Sequence, residues 1–158
     1  PLVIDADGLN NLQDNVNLLR NYKNDIIITP HYGELSRLIN LPPFDIAFDR
    51  VSIARSTAKD FNLTIILKGA PTVIADKNLN VYINSTGNSG MATAGSGDVL
   101  SGLVAGFYAQ TKNSLDSSIL AVYLHGLAGD IAKNNLTQFS LLATDILKNI
   151  NNAIKGFM

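Results

Sequence analysis

Residues 87–98 carry the sequence Gly87-Asn88-Ser89-Gly90-Met91-Ala92-Thr93-Ala94-Gly95-Ser96-Gly97-Asp98. Small residues dominate this stretch, and an apolar helical pattern begins directly after it, at Val99. Glycine and serine leave backbone N–H groups uncovered, and the start of a helix adds partial positive charge at the same place. The stretch therefore predicts an anion site at a helix N-terminus, suited to a phosphate group.

The amides of Gly95, Ser96 and Gly97 are the predicted phosphate contacts. Asp98 follows them in the first helical turn, where its charge would repel a phosphate. A carboxylate in that place is useful if it accepts a proton from an attacking hydroxyl. A weak base suffices there, because the proton leaves late in a loose phosphoryl-transfer transition state. The alternative is structural: Asp98 caps the helix and the glycines only turn the chain.

Two common nucleotide-binding motifs are absent from the sequence. No Gly-x4-Gly-Lys-Ser/Thr string occurs, which excludes a P-loop. Leu100 occupies the position of the third glycine in the dinucleotide fingerprint, so that motif fails as well.

The chain before this stretch alternates apolar runs with helical patterns. The β-branched run at residues 26–28 favours a strand covered on both faces, as in a parallel sheet. An Asp76-Lys77-Asn78 turn separates two apolar runs and predicts a hairpin. Strands are predicted at residues 2–4, 25–29, 63–67, 72–75 and 80–84.

Helical spacing of apolar residues predicts the remaining elements. Asp45 is expected to cap the third helix and Ser114 the fifth. The order of elements predicts an α/β fold with a mostly parallel sheet, flanking helices and one β-hairpin. Helices are predicted at residues 10–21, 33–39, 45–61, 97–111, 115–134 and 142–154.

Polar residues follow three of the strands, at the edge where α/β sheets bind ligands. Lys68 begins the segment Lys68-Gly69-Ala70-Pro71-Thr72 and is expected to meet a nucleotide phosphate, the alternative being a surface turn. His31 is expected to face a bound substrate. Glu34 either holds a metal through water or, as the sequence favours, caps the following helix. An Asp5/Asp7 pair either positions substrate or forms an Asx turn.

The segment His125-Gly126-Leu127-Ala128-Gly129-Asp130 lies within a predicted helix. Glycine costs a helix about 1 kcal/mol per residue, so two glycines three positions apart need a reason. Close packing of another segment is favoured over direct contact with a ligand.

The composition excludes several classes of protein. The 158 residues are 46% hydrophobic and 16% charged, which excludes a disordered chain. The net charge of −1 lacks the basic surplus typical of nucleic-acid binding. The absence of cysteine excludes disulfides, thiolate zinc sites and cysteine nucleophiles. No apolar run approaches the roughly 20 residues of a membrane helix, so neither nucleic acid nor membrane is an expected partner.

Five segments in this order resemble the ADP/ATP-dependent NAD(P)H-hydrate dehydratases of the ribokinase-like superfamily. The string from Gly87 to Asp98 is the most specific of them, and the ordered set covers nearly the whole chain. The sequence departs at Gly8, where the family often has alanine, and at Tyr32, where proline is commoner. The segments are IDADGLN (4–10), TPHYGE (29–34), LKGAPT (67–72), residues 87–102 and HGLAGD (125–130).

The resemblance implies a ribokinase-like fold and a repair reaction. NADH or NADPH hydrate is phosphorylated on its ring hydroxyl by ADP or ATP, phosphate is eliminated, and the reduced cofactor is restored. Magnesium is expected between the phosphates, with no residue assigned to it. By position, His31 and Asp98 would bind the hydrate, with Asp98 as the catalytic base. The adenine nucleotide would be bound by Lys68, Gly69, Ala70, Pro71, Thr72 and Gly97, beside Gly95 and Ser96.

Domains of this family are much longer than 158 residues. Residues 1–158 are therefore expected to be the C-terminal portion of one ribokinase-like domain that needs its N-terminal half. A cytoplasmic homo-oligomer, such as a tetramer, is expected as well. Two alternatives stay open: a kinase acting on a sugar or vitamin-precursor alcohol, and a nucleotide-binding module without catalysis. The residues do not distinguish ADP from ATP, or NADH hydrate from NADPH hydrate.

Overall fold

The computed structural model describes residues 1–156 and contains a five-stranded sheet in the order β1-β2-β3-β4-β5. β1, β2 and β3 are parallel, whereas β4 is antiparallel to β3 and β5 is antiparallel to β4. The predicted mostly parallel sheet and its hairpin are both confirmed. The strands are β1 (Leu2–Ile4), β2 (Ile26–Ile28), β3 (Thr64–Leu67), β4 (Val73–Ala75) and β5 (Val81–Ile83).

Eight α-helices and two 3₁₀ turns accompany the sheet within residues 1–156. The turns are Gln13–Asn15 and Ser89–Met91. The helices are α1 (Asp7–Asn10), α2 (Asn17–Asn21), α3 (Tyr32–Ile39), α4 (Pro43–Phe48), α5 (Arg50–Asp60), α6 (Ser96–Thr111), α7 (Ser114–Asn135) and α8 (Ala143–Lys155).

Successive side chains of the strands point to opposite faces of the sheet, and each face is covered by helices. Ile26 and Ile28 pack with residues of α1, α3 and α5, whereas Ile27 packs with residues of α6 and α7. All three isoleucines are buried, as the β-branched run predicts. Beyond this three-layer arrangement, α8 packs against α7 through Ile146 and Leu124.

The helix predicted at residues 10–21 is wrong. Asn10 ends α1, a 3₁₀ turn follows, and α2 begins only at Asn17. Three-residue hydrogen bonds replace the α-helical pattern, as in Leu12 N–H to Leu9 and Asn15 N–H to Leu12. Asparagine and aspartate, abundant in this segment, compete for backbone hydrogen bonds and favour turns over helix interiors.

Two predicted helix caps are also wrong. Pro43 begins α4 and Asp45 lies inside it, while Asp49 breaks the predicted long helix and caps α5 by accepting from Ser52 N–H at 3.2 Å. Asn113 rather than Ser114 caps α7. Its Oδ1 accepts two backbone N–H groups, at 3.0 and 3.1 Å. Asp49 lies four residues after the predicted cap and Asn113 lies one residue before it; each helix starts where a side chain oxygen can accept the N–H groups of the first turn.

None of the helices within residues 1–156 combines the length and apolar character needed to cross a bilayer.

Candidate active site

Asp5 and Lys68 meet at the carboxyl edge of the sheet, beside the first turn of α6. Lys68 Nζ donates to Asp5 Oδ1 at 2.8 Å, and Ser101 Oγ of α6 donates to Asp5 Oδ2 at 2.6 Å. A Cβ atom built on Gly97 would lie 3.5 Å from Lys68 Nζ and 3.8 Å from Asp5 Oδ2. The first turn of α6 therefore approaches this ion pair at a position without a side chain.

The Asp5 carboxylate is held in its charged form. Burial raises its pKa, but hydrogen bonds from Lys68 and Ser101 and the charge of Lys68 lower it further than burial raises it. The net result is a pKa below the usual value of 3.8. Asp5 thus orients a lysine ammonium at neutral pH, and it forms this ion pair rather than an Asx turn.

His31 and Glu34 cap α3 reciprocally. Glu34 Oε2 accepts from His31 N–H at 2.8 Å, and His31 Nδ1 accepts from Gly33 N–H at 3.0 Å and Glu34 N–H at 3.2 Å. The capping function favoured for Glu34 is confirmed. Because Nδ1 is an acceptor, the neutral imidazole carries its proton on Nε2. The side chain of His31 is 54% exposed, so this imidazole is open to solvent.

Glu34 joins the histidine to the lysine. Its Oε2 lies 3.6 Å from Lys68 Nζ, and its Oε1 lies 3.4 Å from His31 Nε2. His31, Lys68 and Gly97, three of the residues predicted from the sequence, thus lie in one contact network with Asp5 and Glu34. A cleft of about 580 Å³ between α2, α3 and α5 shares none of these five residues.

The start of α6 presents two free amides. Gly95 has a left-handed φ of +85°, which explains the glycine there. The N–H of Ser96, one of the predicted phosphate contacts, donates to Thr93 O at 3.2 Å. The N–H groups of Gly97 and Asp98 have no acceptor within residues 1–156. An anion at this helix start would therefore meet Gly97 and Asp98.

The Asp98 carboxylate is exposed and has no hydrogen-bond or ion-pair partner among the described residues. Its Oδ2 lies 4.0 Å from a Cβ built on Gly95. A carboxylate without a structural partner is available to accept a proton. This geometry differs from that of a helix cap, in which the side chain would accept backbone N–H groups.

The glycines of α7 provide a surface for residues 86–91. A Cβ on Gly126 would lie 2.8 Å from the backbone carbon of Thr86, and one on Gly129 would lie 2.7 Å from Met91 Cγ. Asp130 then holds the loop, accepting from Gly87 N–H at 2.8 Å and from Asn88 Nδ2 at 2.9 Å. The predicted close packing of this segment is confirmed.

His125 holds the other end of the same loop through a contact that the sequence does not predict. Its Nε2 lies 3.0 Å from Ser96 O, the carbonyl of the first residue of α6. Burial lowers the pKa of His125 to about 4, while the hydrogen bond to Ser96 opposes this shift. The imidazole is therefore neutral at pH 7 and donates through Nε2. The sequence around His125 does not indicate this partner, because Ser96 lies 29 residues away in the chain.

The remaining residues predicted to bind the nucleotide lie in the segment that follows β3. Lys68 N–H donates to Pro30 O at 2.8 Å, which aligns this segment with the one that bears His31. Thr72 Oγ1 donates to Gly69 O at 3.1 Å. Gly69, Ala70 and Pro71 are exposed, so this segment lines the surface beside the ion pair.

The family model described as NAD(P)H-hydrate dehydratase matches residues 1–152 of the chain. The chain belongs to the NAD(P)H-hydrate dehydratase family. Its assignment to this family agrees with the resemblance identified from the five sequence segments.

Relatives of this family member share sequence and fold with it. The bifunctional NAD(P)H-hydrate repair enzyme of Moorella thermoacetica is 44% identical over 147 residues, which are 93% of this chain and 28% of that protein. The ADP/ATP-dependent NAD(P)H-hydrate dehydratase of Bacillus subtilis, co-crystallised with ATP/Mg²⁺ and soaked with CoA, is 29% identical with a TM-score of 0.89. That match covers 100% of this chain and 57% of the Bacillus chain.

A ribokinase-like superfamily protein of Enterococcus faecalis is 32% identical with a TM-score of 0.84, covering 98% of this chain and 52% of that one. The predicted ribokinase-like fold class is thereby confirmed for the dehydratase-family chain. The chain spans a little over half of these solved structures and about a quarter of the Moorella protein.

Proposed function

We propose that the chain acts in the ADP- or ATP-dependent dehydration of NAD(P)H hydrate, binding the nucleotide and removing the hydroxyl proton. The observation that carries this proposal is the Lys68–Asp5 ion pair beside Gly97, at the start of α6. A fixed ammonium, two free amides and the positive end of a helix converge on one small region, which suits a terminal phosphate. The names and titles of the relatives, a repair enzyme and an ADP/ATP-dependent dehydratase, support the same reaction.

Each residue at this edge has a separate task in the proposal. Lys68 neutralises phosphate charge, and Asp5 and Glu34 keep its ammonium in place. The amides of Gly97 and Asp98 hold phosphate oxygens. Gly69, Ala70, Pro71 and Thr72 border the nucleotide on the exposed side, together with the loop that contains Gly95 and Ser96. The exposed Nε2–H of His31 donates to the hydrate.

Asp98 accepts the proton in the proposed transfer. The ring hydroxyl oxygen attacks the terminal phosphorus, and a new O–P bond forms while the bond to the bridging oxygen breaks. AMP leaves when ADP is the donor, and ADP leaves when ATP is the donor. The hydroxyl proton passes to the free carboxylate of Asp98. The ring C–O bond then breaks, phosphate leaves with the electron pair, and loss of a proton from the neighbouring ring carbon restores the double bond.

Magnesium fits this site as an ion carried mainly by the nucleotide. Within residues 1–156 no group of three or more His, Cys, Asp or Glu side chains is arranged to hold a metal alone. Mg²⁺ commonly keeps several waters and binds through one or two carboxylates plus phosphate oxygens. Phosphate oxygens and water would supply its ligands, and no side chain is assigned to the ion because the Asp98 carboxylate serves as the base. When bound, the ion would neutralise charge on the phosphates.

The proposal is tested with purified full-length protein, in which residues 1–158 are joined to the expected N-terminal half of the domain, together with NADPH hydrate and either ADP or ATP. Recovery of absorbance at 340 nm with one of the nucleotides is expected, together with release of phosphate. Consumption of nucleotide on a sugar or vitamin-precursor alcohol, without NADPH recovery, would favour the related kinase instead. Nucleotide binding without turnover on any substrate would favour a binding module. Cytoplasmic location, homo-oligomer formation and the dependence on an N-terminal half stay predictions.

A further inference from the structure

Arg50, the first residue of α5, lies against the segment that follows β3. Its Nη1 donates to Ala70 O at 2.8 Å and lies 3.3 Å from both Pro71 O and the Tyr32 hydroxyl. Arg50 is half-buried, and α5 is fixed beneath it by the Asp49 cap and by the buried residues Ala54 and Ala58. A rigid helix therefore holds two consecutive carbonyl groups of an exposed segment.

Tyr32 supports the same segment from the other side. A Cβ on Gly69 would lie 3.0 Å from Tyr32 Cζ, and closer still to the hydroxyl oxygen, so the phenol ring packs directly against this glycine. Tyr32 is the first residue of α3 and follows His31 directly in the chain. The ring thus contacts the proposed nucleotide segment while its backbone belongs to the proposed hydrate segment.

We propose that Arg50 and Tyr32 are positioning residues that hold residues 69–71 in the shape that accepts the nucleotide. This inference rests on the proposed function, because it concerns the nucleotide site of that reaction. Exposed segments without such contacts sample many conformations, and ordering them on binding lowers affinity. The Arg50 and Tyr32 contacts order residues 69–71 before the nucleotide arrives. Since Tyr32 adjoins His31, the same pair also fixes the spacing between the two proposed substrate sites.

The variants that test this inference change one contact at a time. Arg50→Met keeps the apolar stem and removes the donors, while Arg50→Lys keeps a donor of similar reach. Tyr32→Phe keeps the ring on Gly69 and removes the hydroxyl. Arg55→Lys, on the exposed side of the same helix, is the matched control because the Arg55 side chain has no hydrogen bond within residues 1–156.

Two measurements are made on the full chain: the affinity for ADP by calorimetry, and amide hydrogen exchange of residues 69–72. Arg50→Met is expected to weaken ADP binding about tenfold, because a charged donor to two carbonyl groups is lost. Its KM for the nucleotide should rise while kcat changes little, since no reacting atom is touched. Arg50→Lys should recover most of the affinity, and Tyr32→Phe should give a loss of a few-fold. Exchange at residues 69–72 should accelerate in Arg50→Met and not in Arg55→Lys.

Unchanged ADP affinity in Arg50→Met, with wild-type protein that binds ADP and repairs NADPH hydrate, would overturn this inference and leave the proposed function standing. A fall in kcat at constant nucleotide KM would overturn it as well, because it would place Arg50 in the chemistry. Faster exchange without any loss of affinity would show that the order of this segment does not serve binding. Wild-type protein that binds no ADP would overturn both proposals. A double-mutant cycle over Arg50→Met and Tyr32→Phe should show non-additive losses, since the two side chains share one hydrogen bond.

Discussion

Acid should loosen the start of α6 through His125. The pKa of this buried imidazole falls from the usual 6.5 to about 4, chiefly through burial. Between these two values the unfolded chain binds a proton that the folded chain does not. The stabilisation is therefore fully present above pH 6.5 and is lost as the pH falls toward about 4.

The magnitude follows from the two pKa values. Proton binding to a group with pKa 6.5 unfolded and about 4 folded lowers the free energy of unfolding by about 2 kcal/mol between pH 7 and pH 5. The limit at still lower pH is about 3 kcal/mol. His125 is only 9% exposed, so solvent screens this effect little. Asp5, whose pKa is lowered from 3.8, destabilises only at more acidic pH and does not affect this interval.

Urea unfolding followed by circular dichroism at pH 7, 6 and 5 measures this loss. His125→Gln is the informative variant, because its amide nitrogen can still donate to the Ser96 carbonyl but does not titrate. The free energy of unfolding of this variant should decrease by about 2 kcal/mol less than that of the wild type between pH 7 and pH 5.

His31→Gln provides the control, since it removes the exposed histidine and keeps His125. Between pH 7 and pH 5, the free energy of unfolding of His31→Gln should therefore still fall by the amount attributed to His125, about 2 kcal/mol. Equal pH dependence in wild type and His125→Gln would refute the reasoning, because it would mean that the buried imidazole accepts a proton without cost. A loss of ADP affinity over the same pH interval, absent from His125→Gln, would show that the loop before α6 responds to the same proton.

Three substitutions, two of them paired with a comparison variant, test the site and its support. Asp98→Asn should lower the rate of NADPH recovery at 340 nm by about 10²–10⁴ while calorimetry shows nearly unchanged ADP affinity; a rate above about a tenth of wild type would contradict its function as base. Gly97→Val should weaken ADP binding, because a Cβ at this position already lies 3.5 Å from Lys68 Nζ and the γ-carbons of valine would extend farther. Gly97→Ala should weaken ADP binding less. Gly126→Ala should destabilise the chain by about 1–3 kcal/mol in urea unfolding, because its Cβ meets the Thr86 backbone; Gly106→Ala, with nothing within 4 Å, should instead stabilise it by up to about 1 kcal/mol.

The strands could be predicted because each is an apolar run with turn residues on both sides. The hairpin could be predicted from its Asp76-Lys77-Asn78 turn. In the structure Asp76 accepts from Asn78 N–H at 3.0 Å inside that turn, and from Asn80 N–H at 2.9 Å just before β5. Helix boundaries were less predictable. Asp45 and Asp49 are both suitable caps by residue type, and only the geometry of the chain after Pro43 decides between them.

The residues of the candidate site that follow directly after a strand could be predicted to lie together. Residues that follow neighbouring parallel strands share one edge of the sheet, which places His31 and Lys68 together. The pairing of Lys68 with Asp5 was not predictable, since Asp5 lies 63 residues away in the sequence, and neither was the hydrogen bond from Ser101 of α6 to the same carboxylate. The contacts of Arg50 and His125 were not predicted for a related reason. Both side chains form hydrogen bonds with backbone carbonyl groups of distant segments. Because every residue has a carbonyl group, the sequence does not show which one a side chain contacts.

The small residues between residue 86 and residue 97 let this segment pack closely on α7 and leave backbone N–H groups uncovered for a phosphate. Its two ends are fixed from α7, by Asp130 at Gly87 and by His125 at Ser96. Side chains of α7 thus supply hydrogen bonds at both ends of the loop, in addition to the one that Gly90 N–H donates to Asn88 Oδ1 within it. Gly97 presents no side chain toward Lys68, and the N–H groups of Gly97 and Asp98 have no acceptor among the residues that the structure describes. A phosphate would then meet groups already in position, so little conformational entropy is lost on binding.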